Sequence, residues 1–232
     1  RLVIRTSFSL IFFGSLGFFV TETLLNSQFF SDLNLFQKIL SSIFETVSAR
    51  TAGSTNFPIS LNSISDTGLL LLMTLMFIGA SSGGTGGGIK TTTFIALMAA
   101  TRSTLRGQKD VIISNRLISD KVILKAVGIT VGSLLFVLLM AMLLSTTNTF
   151  IKKESFTFLE ILFTCISAFA TVGFDIGLTS KLNHFGQFII IIGMFVGRLG
   201  ILLLLSALWQ ALYKSRIERQ KRIGYPKADL YV

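Results

Sequence analysis

Three stretches of this chain, residues 6–25, 122–144 and 188–208, are apolar over about the 20 residues that a helix needs to cross about 30 Å of hydrocarbon. A fourth, residues 68–100, is equally apolar but is interrupted in its middle by glycines. That pattern leaves few choices. Inside lipid the backbone must satisfy its own polar groups, so the spans are helical, and irregular chain at that depth survives only where protein buries it or a watery cavity faces it. Composition agrees, since only 14% of residues are charged and 51% are hydrophobic, whereas a soluble domain carries about a quarter charged. The expected fold class is an all-α integral membrane protein.

The net charge of +10 would by itself admit a nucleic-acid partner, but position decides otherwise. Arg102, Arg106, Lys109, Arg116, Lys121 and Lys125 lie from the end of the broken span to the first turn of the next one, and Lys214, Arg216, Arg219, Lys221, Arg222 and Lys227 follow the last span. Alternating spans put these two segments on one side, and the excess of Lys and Arg makes that side cytoplasmic. The opposite loops, 26–37, 54–67, 145–155 and 174–187, hold only Lys152, Lys153 and Lys181. The basic balance is thus a topology signal, with an acidic partner or anionic membrane lipid as its sharper use and no nucleic acid. Trp209 and Tyr213, at the end of the last span, read as interface anchors. The single Cys165 excludes an internal disulfide, and His184 stands without the neighbours a structural metal needs.

The break in the fourth span reads GASSGGTGGGIKTTT, residues 79–93, and invites comparison with a phosphate cradle. A Walker loop requires G-x-x-x-x-G-K-[ST]. Counting back from Lys90 and Thr91, the position that must be glycine holds Ile89. A membrane nucleotide-binding or phosphotransfer protein using the loop near Lys90 remains the alternative function, and it would also need a magnesium-binding acid that the sequence does not supply there. Each glycine costs a helix about 1 kcal/mol relative to alanine, so a flexible loop is expected. Gly83, Gly84, Gly86, Gly87 and Gly88, with Thr85 among them, exceed what Gly-x-x-x-Gly packing requires. Residues 128–132 and 193–197 suit that packing role better.

Shifting the sequence by 120 positions lays Phe36 on Phe156, Thr51 on Thr171, Gly53 on Gly173 and Ser60 on Ser180. Each copy reads as a spanning helix, a short apolar helix (about 36–48 and 156–169), a Thr-x-Gly turn and a second spanning helix. Helices of 10 to 14 residues are too short to span, and re-entry into the membrane is the usual outcome. Two irregular loops in matching places suggest a pore, the plain alternative being a glycine that merely caps each helix.

With Thr171-Val172-Gly173-Phe174-Asp175, SARTAGS over residues 48–54, GGTGGGIKTTT over 83–93 and the GRLG around Arg198, the chain resembles the Trk/Ktr/HKT superfamily of potassium transporters, and most of all the KtrB-type membrane subunit. The resemblance implies potassium uptake at the bacterial inner membrane, not enzymatic activity. It also implies four membrane-pore-membrane repeats around one ion path. By its motifs this chain matches the third and fourth, 1–105 with an intramembrane glycine-rich loop (79–90) and 122–213, with a basic connector 106–121 and tail 214–232 on the cytoplasmic face. The chain begins at Arg1, and a longer parent is expected. A homodimer of the full-length chain, a cytoplasmic nucleotide-binding regulatory ring and sodium as a coupling ion complete what the family implies.

In such a filter, backbone carbonyls replace the ion's water. Thr51, Ala52, Thr171 and Val172 would supply them, while Gly53 and Gly173 leave the path open, and potassium at this filter is the only metal expected. Thr55 and Asp175 occupy the places where channels have a second glycine, so the coordinating run is short. Asp175 either draws cations to the outer mouth, or is a solvated loop carboxylate, or bonds back to the short helix before it. Arg50 is expected to anchor its loop to Glu45 or Asp66. The same shift sets Arg198 opposite Ile78, beside the glycine-rich stretch. Family likeness makes residues 83–88, Lys90 and Arg198 the gate, with Arg198 either an electrostatic barrier or a donor to loop carbonyls.

Overall fold

The computed structural model describes residues 2–25, 28–31, 33–56, 63–79, 81, 86–108, 110–113, 116–150 and 156–200. Gly83, Gly84, Thr85, the anchors Trp209 and Tyr213 and the tail 214–232 lie outside the described residues. In chain order the elements are α1 (Leu2–Leu24), α2 (Gln28–Ser31), α3 (Leu35–Ser48), α4 (Asp66–Phe77), α5 (Thr91–Leu105), β1 (Ile112–Ile113), β2 (Arg116–Leu117), α6 (Asp120–Phe150), α7 (Phe158–Phe169), a 3-10 turn (Thr179–Lys181) and α8 (His184–Leu199).

The protein is mostly helical, and stretches Val3–Leu24 and Asp120–Thr146 are long and apolar enough to cross a membrane. Around α1 and α6 the large side chains face outward: Phe8, Phe12, Phe13, Leu135, Leu139 and Met142 are all exposed. A soluble surface would not carry such a belt, whereas hydrocarbon or a further apolar partner suits it. Two cores lie behind it. Phe18, Leu69, Leu72 and Met76 pack with Phe163, Val172 and Phe174, joining α1, α4 and α7. Val137, Met140, Leu144, Ile161, Phe169, Ile189 and Val196 join α6, α7 and α8. The short helix α7 therefore sits at the centre, with a face in each core.

Local signals set the helix starts. Thr157 and Glu160 form a capping box on α7, as Asn34 and Gln37 do on α3. The Asn183 side chain accepts the Gly186 N–H at 2.8 Å to open α8. At α4 the cap is reinforced, because the Ser65 hydroxyl accepts from Gly68 N–H and itself donates to the fully buried carboxylate of Glu22 on α1 at 2.6 Å. That carboxylate lies at a helix N-terminus, where the backbone dipole favours negative charge.

The helical class holds, and two details were not expected. The basic connector contains a short antiparallel hairpin with Ile112 opposite Leu117. The chain leaves α5 at Gly107, with φ of 65°, and the Ser103 hydroxyl donates to the Asp110 carbonyl at 2.8 Å, which turns the β-branched Val111-Ile112-Ile113 run back on itself. The last apolar run is also not one helix over 188–208, because α8 stops at Leu199 and Gly200 follows at φ of 85°. Hydropathy is blind to such a stop; a left-handed glycine after the last turn is the signal for it. The break in the fourth span falls where glycines were expected to place it, between α4 and α5, and there the Ile89 N–H donates to the Phe77 carbonyl at 3.0 Å.

Candidate functional site

Each short helix, α3 and α7, runs directly into a Thr-x-Gly loop, and the two loops share an unusual backbone. Thr51 and Thr171 have φ of 77° and 53°, and Gly53 and Gly173 have φ of 74° and 96°. Glycine adopts such angles freely, but a β-branched residue there is a true outlier that costs about 1–3 kcal/mol. The same outlier at both copies marks a conformation held for a purpose. Positive φ at alternate residues turns successive carbonyls toward one side, whereas an extended strand would alternate them. The loops also meet: a Cβ on Gly53 would collide with the Val172 carbonyl oxygen, and one on Gly173 would lie 3.9 Å from the Gly53 Cα.

The helices brace these loops through residues that a fixed shift does not align. Ser48 Oγ donates to the Ser54 carbonyl and accepts the Ser54 N–H at 2.9 Å. Ser167 Oγ donates to the Phe174 carbonyl at 2.7 Å. In both loops the carbonyl just past the glycine is thus held by the short helix. Glu45, fully buried, accepts the Asn56 N–H at 2.9 Å and holds the far end of the first loop. The corresponding place in the second copy is the buried Cys165. There Asp175 organises its own turn, its Oδ1 accepting from the Thr179 hydroxyl at 3.0 Å rather than bonding to α7. A cavity of about 310 Å³ runs beside this loop between α7 and α8, lined by Thr171, Gly173, Asp175 and Met194 among others.

Arg50 does not pair with Glu45 or Asp66. Its guanidinium reaches back to the Ser7 carbonyl on α1 at 3.5 Å, leaving Nε without a partner among the described residues. Since α1 packs along α3, the carbonyl lies nearer than either acid.

The described part of the glycine-rich stretch lies against the second loop. Gly87 N–H donates to the Thr171 hydroxyl at 2.8 Å, and a Cβ on Gly87 would stand 2.9 Å from the Phe169 carbonyl oxygen. Lys90 Nζ donates to the Gly86 carbonyl at 2.6 Å, and Gly88 takes φ of 71° where the chain passes Phe77. A phosphate would require that N–H and that ammonium, and both are committed within the protein, which counts against the phosphate-cradle alternative. Arg198, in the last turn of α8, is exposed and lies within electrostatic reach of Lys90. Among the described residues, the side chain that donates to a carbonyl of the glycine-rich stretch is Lys90. Next to Arg198, Gly197 packs so tightly that a Cβ would collide with the Phe169 carbonyl, and Gly193 packs on Met140. Gly128, by contrast, has no neighbour within 4 Å among the described residues. The structure therefore gathers Thr51, Ala52, Gly53, Thr171, Val172 and Gly173 into one cluster, with Gly86, Gly87, Gly88 and Lys90 beside it.

The family model described as TrkH, cation transport protein, matches residues 2–212. The Ktr system potassium uptake protein B of Bacillus subtilis (strain 168) is 36% identical over 199 residues, which is 86% of this chain and 41% of that protein. The Ktr system potassium uptake protein D of the same organism is 33% identical over 224 residues, 97% of this chain and 46% of that protein. The crystal structure of the potassium transporter TrkH from Vibrio parahaemolyticus superposes with a TM-score of 0.72 at 18% identity, over 89% of this chain and 44% of that one. The chain spans under half the length of each of these proteins.

Proposed function

The chain belongs to the TrkH family of cation transport proteins, and from that premise we propose that it lines the ion path of a potassium uptake system in a bacterial plasma membrane. One observation carries the reading: two Thr-x-Gly loops, 120 positions apart, hold threonine and glycine at positive φ and meet glycine to carbonyl. In this reading the carbonyls of Thr51, Ala52, Thr171 and Val172 replace the water of a potassium ion, and Gly53 and Gly173 keep the path clear. The names of the two potassium uptake relatives support potassium as the cargo; sodium stays a candidate coupling ion on the family likeness alone.

Residues 1–105 and 122–213 form two membrane-pore-membrane repeats, α3 and α7 being their re-entrant helices. The remaining walls of the path come from further copies of this repeat. The connector 106–121 and tail 214–232 lie in the cytoplasm, facing a nucleotide-binding regulatory ring, and the full-length chain works as a homodimer. Below the loops, residues 83–88 with Lys90 and Arg198 obstruct the path until they move.

The test is Gly173→Ser in the full-length protein, expressed in cells lacking other potassium transporters, with rubidium and sodium uptake compared. Misfit at one carbonyl site of about 1.4 kcal/mol lowers the preference about tenfold. A normally expressed variant with unchanged preference would sink the filter assignment.

A further inference from the structure

A groove of about 570 Å³ opens where α5 ends, between α5, the first turns of α1 and the β1–β2 hairpin. Its floor is apolar, built from Phe94, Met98, Ile112 and Ile113, and its rim carries Arg102 and Arg106. The wall is a constructed one. Ser103, buried, ties the α5 terminus to the chain beyond it through its hydroxyl bond to the Asp110 carbonyl, and the Gln108 N–H returns to the Ser103 carbonyl at 3.0 Å. Both arginines are exposed, and among the described residues neither makes an ion pair. An occupant must therefore be apolar at one end and anionic at the other.

We propose that this groove binds one anionic phospholipid, its acyl chain on Phe94, Met98 and Ile112 and its phosphate between Arg102 and Arg106. The site rests on the membrane placement proposed above: α5 descends from the interrupted span, so its last turn stands at the level of the cytoplasmic headgroups. There, basic side chains attract negative lipid by about 1 kcal/mol each. The basic tail is a poor rival for the groove, because Lys214, Arg216, Arg219, Lys221 and Arg222 would be repelled by the rim. A zwitterionic lipid would gain the floor but little from the arginines.

The probe is dioctanoyl phosphatidylglycerol, titrated onto the purified full-length protein in detergent and counted by native mass spectrometry, with dioctanoyl phosphatidylcholine and inorganic phosphate as comparisons. The wild type should retain one phosphatidylglycerol in preference to phosphatidylcholine and gain no stability from phosphate alone. The double variant R102Q/R106Q should weaken retention about thirtyfold, about fivefold for each arginine. Met98→Trp, which fills the floor and leaves the rim intact, should also abolish it. K121Q/K125Q, with the same charge removed outside the groove, should retain lipid within about twofold. Equal retention by wild type and R102Q/R106Q, equal retention of the two lipids, or a loss in K121Q/K125Q as large as in the arginine variant would each overturn the site. So would an arginine variant that keeps its lipid but no longer binds a cytoplasmic protein ring. Retention is read without any transport assay, so its failure leaves the potassium reading standing, and the reverse also holds.

Discussion

Replacing Thr171 by valine removes one hydroxyl and changes little else. The two side chains share shape and β-branching, so the positive φ of 53° is no harder to hold. The lost oxygen is the one that accepts the Gly87 N–H at 2.8 Å, and Gly87 is buried. With valine present the N–H faces a methyl group, and an unpaired buried donor costs about 1–3 kcal/mol. In the proposed gate the glycine segment swings away on opening and the same N–H meets water, so the cost falls on the closed arrangement alone. That shift multiplies the ratio of open to closed protein by about 5 to 150. Initial rubidium uptake by cells expressing the full-length Thr171→Val variant should therefore rise at least about fivefold, with membrane levels matched by immunoblot. Thr171→Ser, which keeps the hydroxyl, should stay near wild type. Deleting residues 83–88 in the valine background should add much less than it adds alone, because both changes release one latch. Wild-type uptake by a correctly inserted valine variant, with the deletion acting in full, would refute the latch.

Two further outcomes follow from the braces and the packing. Ser48→Ala removes two hydrogen bonds to Ser54 and Ser167→Ala removes one to Phe174. Rubidium over sodium preference should fall in both, and further in Ser48→Ala. Gly197→Val sets a branched side chain against the Phe169 carbonyl. The purified protein should melt lower by an amount matching about 1–3 kcal/mol of overpacking, while the same change at Gly128, in open space, should shift melting by less than a third as much.

How much of this was legible follows from what each signal measures. Hydropathy reports transfer into lipid, so it located α1, α6 and the glycine break before α5, but it says nothing about where hydrogen bonding stops. The end of α8 at Gly200 and the hairpin after α5 escaped it for that reason. A shift of 120 aligned Thr51 with Thr171 and Gly53 with Gly173, and the shared backbone angles answer to that alignment. The same shift hid the braces, since Ser48 stands three residues before its threonine and Ser167 four. A search for any hydroxyl within one turn of the helix end would have found both. Arg50 was assigned a carboxylate on charge alone, yet its reach is decided by α1, whose Ser7 carbonyl lies 43 residues back in the sequence. Gly128 and Gly193 read alike as packing glycines, and only the neighbouring helix separates them.

The asymmetry between the two loops bears on how a gate would work. Both are braced by serine from their own short helix, but among the described residues the glycine segment touches only the second, through Thr171 and the Phe169 carbonyl. The ammonium of Lys90 is tethered to Gly86, inside that segment. A motion that breaks the Gly87–Thr171 bond and keeps the Lys90–Gly86 bond carries the Lys90 charge with it. Arg198 is differently placed, on a helix locked to α7 by Gly197, and has no reason to follow. In the proposed path the steric obstacle and one of the two cations thus leave together, while the other cation stays. The repulsion between unit charges falls as the inverse of distance and of local dielectric constant. Withdrawing Lys90 and admitting water in its place weakens both factors at once, so a single displacement of the loop lowers the barrier sterically and electrostatically while the Arg198 helix remains packed.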